Sequence, residues 1–340
     1  MIGEPQRSRI VSWYDGFGRR LAATPDLAEM CREYRCDEPG TLEERRQSAW
    51  ALRMNIHRNL SPEAVACAVG VVAKYAYLDL QVPVLGVPAG ALNQFGIGEA
   101  AQLLVERGFA FLPMVRPEAV ASMLAYFDGL DGQAEAGFVN WSTTQAFGCR
   151  LLFDLATDPI VLGVVERYLG APPIVLNYSA WRSGTGHAAS GSQFFHRDFD
   201  DIKFVKLFVY LTDVDGEEDG AHCFIMGSHR LEAVARLRTS WPGGVEEFDK
   251  WYFGQLRKND ADVGAVFGGD FTALIGKAGT CFLVDTSGIH KGLAPKRRDR
   301  VLAQVLYGVT PFYSPFDHEL PTREARLPPP LDYVNMLWLA

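Results

Sequence analysis

The sequence predicts an α+β protein with a mainly β core, and three observations lead there. Helical patterns dominate up to Gly170, and beyond Pro172-Pro173 short apolar runs separated by Gly, Pro and Asp turns take over. Two of those runs, Phe204–Leu211 and Val301–Val309, are nearly continuous in apolar residues, as buried strands are. The third observation is Phe194-Phe195-His196-Arg197-Asp198, an imidazole and a carboxylate two residues apart just ahead of the first run. Side chains alternate along extended chain, so His196 and Asp198 face one side and can grip a single divalent metal together.

Taken in order, residues 1–95 read as a helical extension packed on the core, and 96–340 as the main domain. Thr41–Leu60 mixes charge with Trp50, Leu52 and Met54; Ser61-Pro62-Glu63 is a capped start for a helix running to about Tyr77. The Pro/Gly-rich Val82–Gly98 marks the boundary. A short amphipathic helix, Gly98–Gly108, leads into strand-like Phe109–Pro113, and helices follow at Pro117–Tyr126 and Asp158–Leu169, the latter ended by Gly170. Strands are expected at Ile174–Trp181, Phe204–Leu211, Ala221–Met226, Thr280–Val284 and Val301–Val309. Residues 231–270 break this pattern and read as an insertion. Its aromatics, Trp241, Phe248, Trp251, Tyr252 and Phe253, suit a lid over a binding site or an extra packed helix. The apolar tail from Tyr333 is expected to be tied down.

Composition narrows the function. With 340 residues, 48% of them hydrophobic, the chain can bury a large core. A net charge of −8 argues against nucleic acid as a partner, and the basic segment Lys291, Lys296, Arg297, Arg298 and Arg300 reads mainly as a solvated turn. The N-terminal residues lack the apolar stretch of a secretory signal and no run is long enough to span a bilayer, so a cytoplasmic protein without membrane contact is expected. Six scattered cysteines with no C-x-x-C pair read as reduced, mostly buried thiols.

The site type that uses a His-X-Asp pair is the facial triad of two histidines and one carboxylate, which holds Fe(II) and leaves three positions open. Candidates for the second histidine are His222, His229 and His290; His57, His187 and His318 read as ordinary core or surface residues. His290 stands out because Arg300 follows it at the head of an apolar strand. A buried guanidinium needs a carboxylate, and that carboxylate can belong to a small cosubstrate.

The ordered set His196-Arg197-Asp198, Lys206–Val214, Gly220 to Gly227-Ser228-His229-Arg230, and His290 with Arg300 resembles the phytanoyl-CoA dioxygenase family of Fe(II)/2-oxoglutarate oxygenases, over roughly residues 98–312. The resemblance implies a double-stranded β-helix, the jelly-roll or cupin-like barrel, flanked by helices, which lets ligands on different strands converge inside. It implies that His196, Asp198 and His290 bind iron, and that Arg300, in preference to Arg298, binds the distal carboxylate of 2-oxoglutarate. It makes Gly227–Arg230 a structural turn, and leaves His222 as packing. It also implies that O2 and 2-oxoglutarate are consumed, with succinate and carbon dioxide released, while a small-molecule C–H bond is hydroxylated. Asp198 favours oxygenation, since related halogenases lack the carboxylate. Substrate contacts are expected at Asn177, Tyr178, Trp181, Arg182, Gln193 and Phe194, and a cosubstrate contact at Lys206, a charge inside an apolar strand. Two other readings compete: a catalytically silent cupin-like binding protein, and an oxygenase acting on a protein side chain, which would need an open peptide groove.

Overall fold

Four helices open the chain: α1 (Glu4–Ala22), α2 (Pro25–Glu33), α3 (Leu42–Asn59) and α4 (Pro62–Lys74). The computed structural model describes residues 4–85, 96–268, 270–311 and 327–339, so His318 and most of the Pro/Gly-rich boundary lie outside the described residues. Local chemistry sets the helix starts. Thr41 Oγ1 accepts the Glu44 N–H at 3.3 Å while Glu44 Oε2 accepts the Thr41 N–H at 2.7 Å, a reciprocal cap on α3. Ser61 accepts the Ala64 N–H at 3.0 Å, with Pro62 in the first turn of α4. Helix Pro159–Leu169 is capped by Asp158 and ends at Gly170 with φ +79°, a left-handed conformation that glycine adopts without steric cost.

The core is a double-stranded β-helix. A seven-stranded antiparallel sheet has the order β1 (Phe109–Leu112), β8 (Cys281–Val284), β5 (Phe204–Tyr210), β10 (Arg300–Gly308), β4 (Ile174–Ser183), β3 (Phe138–Trp141), β2 (Gln133–Glu135). Facing it is a small sheet of β7 (Thr272–Leu274), β6 (His222–Phe224) and β9 (His290–Gly292), extended at its edge by the bridge between His290 and His196. Period-two alternation splits the large sheet. Residues such as Tyr178, Val205, Leu207, Ala303 and Val305 join the helices in one large core, whereas Phe208, Tyr210, Phe282 and Leu302 meet Phe224 and Leu274 between the sheets.

The N-terminal helices share that outer core: Ile10, Trp13, Leu52, Ile56 and Val72 pack in the same cluster as the large sheet. α3 also reaches the loop after Asp198, where Arg53 Nη1 donates to the Asp200 carbonyl at 2.7 Å and the His57 Nε2–H to the Asp201 carbonyl at 2.7 Å. The C-terminal segment is anchored by Trp338, whose Nε1 donates to the Val175 carbonyl at 2.7 Å.

Of the two readings of residues 231–270, lid or extra packed helix, the aromatics follow the second, while Arg257 lines the cavity. Phe248, Trp251 and Tyr252 pack with Val234 and Val263 against Phe195, Ile225 and Ile289, which cover the outer face of the small sheet; Trp241 and Phe253 join from the rim. The physical reason is the same alternation: the neighbours of His196 and His290 point away from the cavity and leave an apolar face that this insertion buries. Arg197 does so too, its guanidinium 4.3 Å from the Phe199 ring and 4.4 Å from that of Tyr252.

Four short strands, β2, β3, β7 and β9, escaped the sequence pattern. β2 is fully exposed and β9 holds only His290, Lys291 and Gly292, so neither carries an alternation long enough to read. All six cysteines are free, five of them buried and Cys67 partly so. Among the described residues no helix is long and apolar enough to cross a membrane.

Candidate metal centre

His196 and His290 sit opposite one another, each backbone N–H donating to the other's carbonyl at 2.9 Å. Their rings converge, with centroids 4.2 Å apart. Each Nδ1 faces a carbonyl two residues earlier, Phe194 at 2.8 Å and Gly288 at 3.0 Å, which makes Nδ1 the donor and leaves Nε2 as the free lone pair. Asp198 is brought in by its N–H, which donates to the Thr286 carbonyl at 2.8 Å. Its Oδ2 lies 3.4 Å from His290 Nε2 and its Oδ1 3.9 Å from His196 Nε2. All three candidate ligand atoms fall within 4.8 Å of one another, which suits a first-row metal at about 2.1 Å from each.

The electrostatics prepare the set for a cation. Burial, reinforced by His290, pushes His196 down to about 3, and burial also lowers His290 against the pull of Asp198, so both imidazoles are neutral at pH 7. Burial works to raise Asp198, but the charge of Lys206, joined at low pH by that of the two imidazoles once protonated, outweighs it and holds the carboxyl well below its ordinary range. Lys206 is raised in turn, because Asp198 and Asp200 outweigh its own desolvation.

These groups line a cavity of about 490 Å³ whose floor is the inner face of the large sheet. Register orders that floor into rows: Phe138–Ser183–Arg300, then Asn140–Trp181–Leu302–Tyr210, then Ser179–Gln304–Phe208. Arg300 is 2% exposed; Nη1 donates to the Gly220 carbonyl and Nη2 to Ser183 Oγ at 3.1 Å, while Nε has no partner. Among the described residues no carboxylate pairs with it, so a buried cation faces the cavity uncompensated. Arg298, at the same strand parity, lies outside and pairs with Asp215 at 3.0 Å and Asp219 at 3.1 Å. Arg297 pairs with Asp219 as well, so two of the five cations of the basic segment, Arg297 and Arg298, share acidic partners outside the cavity.

Of the residues expected to touch substrate, Trp181 lines the cavity and the other five do not. Tyr178 alternates to the outer face and packs 5.0 Å from Trp338 and 5.4 Å from Phe147. Arg182 also faces outward, paired with Asp128. Asn177 lies one row beyond the cavity, where its Oδ1 accepts from Thr143 at 3.4 Å. Gln193 turns back to accept the Ser190 N–H at 3.0 Å, and Phe194, 39% exposed, offers only its carbonyl to His196. Lys206, expected to contact the cosubstrate, does line the cavity, and its ammonium pairs with Asp198 at 2.7 Å and Asp200 at 2.8 Å.

Sequence reasoning missed Ser179, Ser183, Gln304, Asn140 and Arg257, all at this site, and weighed His222 only as a metal ligand or as packing. The parity that selects Trp181 also selects Ser179 and Ser183. Gln304, a polar side chain inside an apolar strand, carries the same signal as Lys206. Arg257 is exposed and is the residue of 231–270 that reaches this cavity. His222, with no arginine near it in sequence, lines the same cavity as Arg300 in space.

No protein-family model matches this chain, and no curated protein sequence does. Solved structures are similar to it. HygX from Streptomyces hygroscopicus, with nickel and 2-oxoglutarate bound, shares 18% identity over 67% of this chain and 91% of that one, at a TM-score of 0.45. The non-heme alpha ketoglutarate dependent epimerase SnoN from nogalamycin biosynthesis shares 16% identity over 63% and 82%, at 0.43. AviO1 from Streptomyces viridochromogenes Tue57 shares 16% over 66% and 97%, at 0.40.

Proposed function

We propose that the chain is an Fe(II)- and 2-oxoglutarate-dependent oxygenase that hydroxylates a small, polar metabolite, with His196, Asp198 and His290 holding the iron and Arg300 the distal carboxylate of 2-oxoglutarate. One observation carries the reading: a cluster of two neutral imidazoles and a carboxylate shares a cavity with a buried guanidinium that has no carboxylate partner among the described residues. The donor set suits Fe(II), and the unpaired cation suits a dicarboxylate reaching from the metal to the sheet floor.

Iron and 2-oxoglutarate, when bound, supply the oxidising chemistry, consuming O2 and releasing succinate and carbon dioxide. The chain's own residues orient and enclose. Phe194 and Gly288 carbonyls hold the two rings with Nε2 turned inward. Lys206 holds the Asp198 carboxylate in place and keeps it ionised. Ser183 and the Gly220 carbonyl set the plane of the Arg300 guanidinium. Ser179, Gln304 and Asn140 line the same cavity with polar side chains, which supports a hydrogen-bonding substrate.

The test is succinate formation by anaerobically iron-loaded protein given 2-oxoglutarate and air, beside His196→Ala. Slow turnover, lost in the variant, is expected. No turnover together with no 2-oxoglutarate binding by anaerobic calorimetry would overturn the oxygenase reading in favour of a silent binding protein.

A further inference from the structure

His222 is the buried titratable side chain of the cavity that the proposed function leaves unused. It opens β6 and is 4% exposed. Across the small sheet its register partner is Gly292, and a Cβ on Gly292 would stand 3.2 Å from both Nη1 and Nη2 of Arg300. On its other side the His222 ring stacks on His290, with centroids 5.4 Å apart and planes at 19°. The imidazole therefore lies between the metal-facing ring and the guanidinium.

Its placement is rigid. The His222 N–H donates to Tyr210 Oη at 2.9 Å, whose own hydroxyl donates to the Leu274 carbonyl at 2.7 Å, and the ring packs 4.8 Å from Phe208. Yet Nε2 is buried and has no hydrogen-bond partner among the described residues. Leucine would fill this space without stranding a polar atom, so packing alone does not account for a histidine here. Trp181 Nε1, in the row next to Arg300, is buried without a partner in the same way. Three nitrogens without partners, Arg300 Nε, His222 Nε2 and Trp181 Nε1, thus belong to side chains lining one cavity.

We infer that His222 is a second cosubstrate-binding residue, its Nε2–H donating to the carboxylate that Arg300 holds, with Trp181 Nε1–H beside it. This rests on the 2-oxoglutarate reading and goes beyond it by assigning a neutral donor on the small sheet to an anion otherwise gripped from the large one.

The experiment is calorimetric titration of 2-oxoglutarate into nickel-loaded protein, with nickel affinity measured separately by chelator competition. His222→Leu is expected to weaken 2-oxoglutarate about tenfold, the usual effect of losing one hydrogen bond to a charged group, with nickel affinity unchanged. His222→Gln keeps an N–H donor and is expected to stay within about threefold of the parent; it also serves if the leucine variant folds poorly. Parental affinity in His222→Leu would overturn the inference, as would an equal loss of nickel and 2-oxoglutarate in both variants, which would mean that the ring only supports His290. If the nickel-loaded parent itself binds no 2-oxoglutarate, the proposed function fails and this inference falls with it.

Discussion

Lys206 and Asp198 form a partly buried ion pair, 2.7 Å between Nζ and Oδ2, inside the wall of the candidate metal cavity. Lys206 also pairs with Asp200 at 2.8 Å, so without metal one ammonium holds two carboxylates. Lys206→Met leaves those carboxylates together and unpaired, which costs about 3 kcal/mol in the metal-free protein. A bound cation replaces the missing charge at Asp198, so saturating nickel is expected to recover more stability in the variant than in the parent. Urea unfolding of both proteins with and without nickel tests this; an equal increment in the two would refute it.

Arg300 behaves oppositely, because its guanidinium is buried without a carboxylate partner among the described residues. Arg300→Met gives up hydrogen bonds to Gly220 and Ser183 but also a desolvated charge. The metal-free variant is expected to lie within about 1 kcal/mol of the parent in stability, while its 2-oxoglutarate affinity falls by roughly a hundredfold. Unfolding and calorimetry measure the two separately. A large loss of stability would show that Arg300 is a structural residue.

Gly292 leaves the space in which that guanidinium lies. Gly292→Ala places a methyl 3.2 Å from both Nη atoms, and Arg300 cannot withdraw without releasing Gly220 or Ser183. Binding of 2-oxoglutarate to the nickel-loaded variant is expected to weaken about threefold to tenfold, with nickel affinity unaltered. Unchanged 2-oxoglutarate affinity would count against Arg300 as its anchor.

His57 links α3 to the loop after Asp198, and burial, with the charge of Arg197, pushes it down to about 4. A histidine lowered in the folded state from about 6.5 binds more protons when unfolded, so its stabilising effect is complete above pH 6.5 and is lost as pH falls toward 4. Between pH 7 and pH 4.5 the parent is expected to lose about 2–3 kcal/mol more than His57→Gln, in which this titration is absent. Urea midpoints at the two pH values decide it; parallel losses would show that His57 does not titrate in that window.

What could be read directly from the residues is what local chain geometry imposes. Alternation aligns His196 with Asp198 and separates Trp181 from Tyr178, the Thr41 and Ser61 caps start their helices, and nearly continuous apolar runs mark β5 and β10. Each of these follows from spacing within a few residues, which covalent geometry imposes whatever the rest of the chain does.

Which face became the cavity, and what covers the other, followed from long-range packing. Arg300 meets Ser183 across 117 positions and Gly220 across 80, His222 comes to lie between Arg300 and His290, and residues 231–270 cover the back of the small sheet. Lys206 shows the same limit: a charge in an apolar strand announces an anionic partner, and folding selected Asp198 and Asp200 for that role. The reason is physical. A strand's pattern records that one face is buried, whereas the groups buried against it are chosen by long-range packing, in which the energy of every contact depends on elements that the local sequence does not contain.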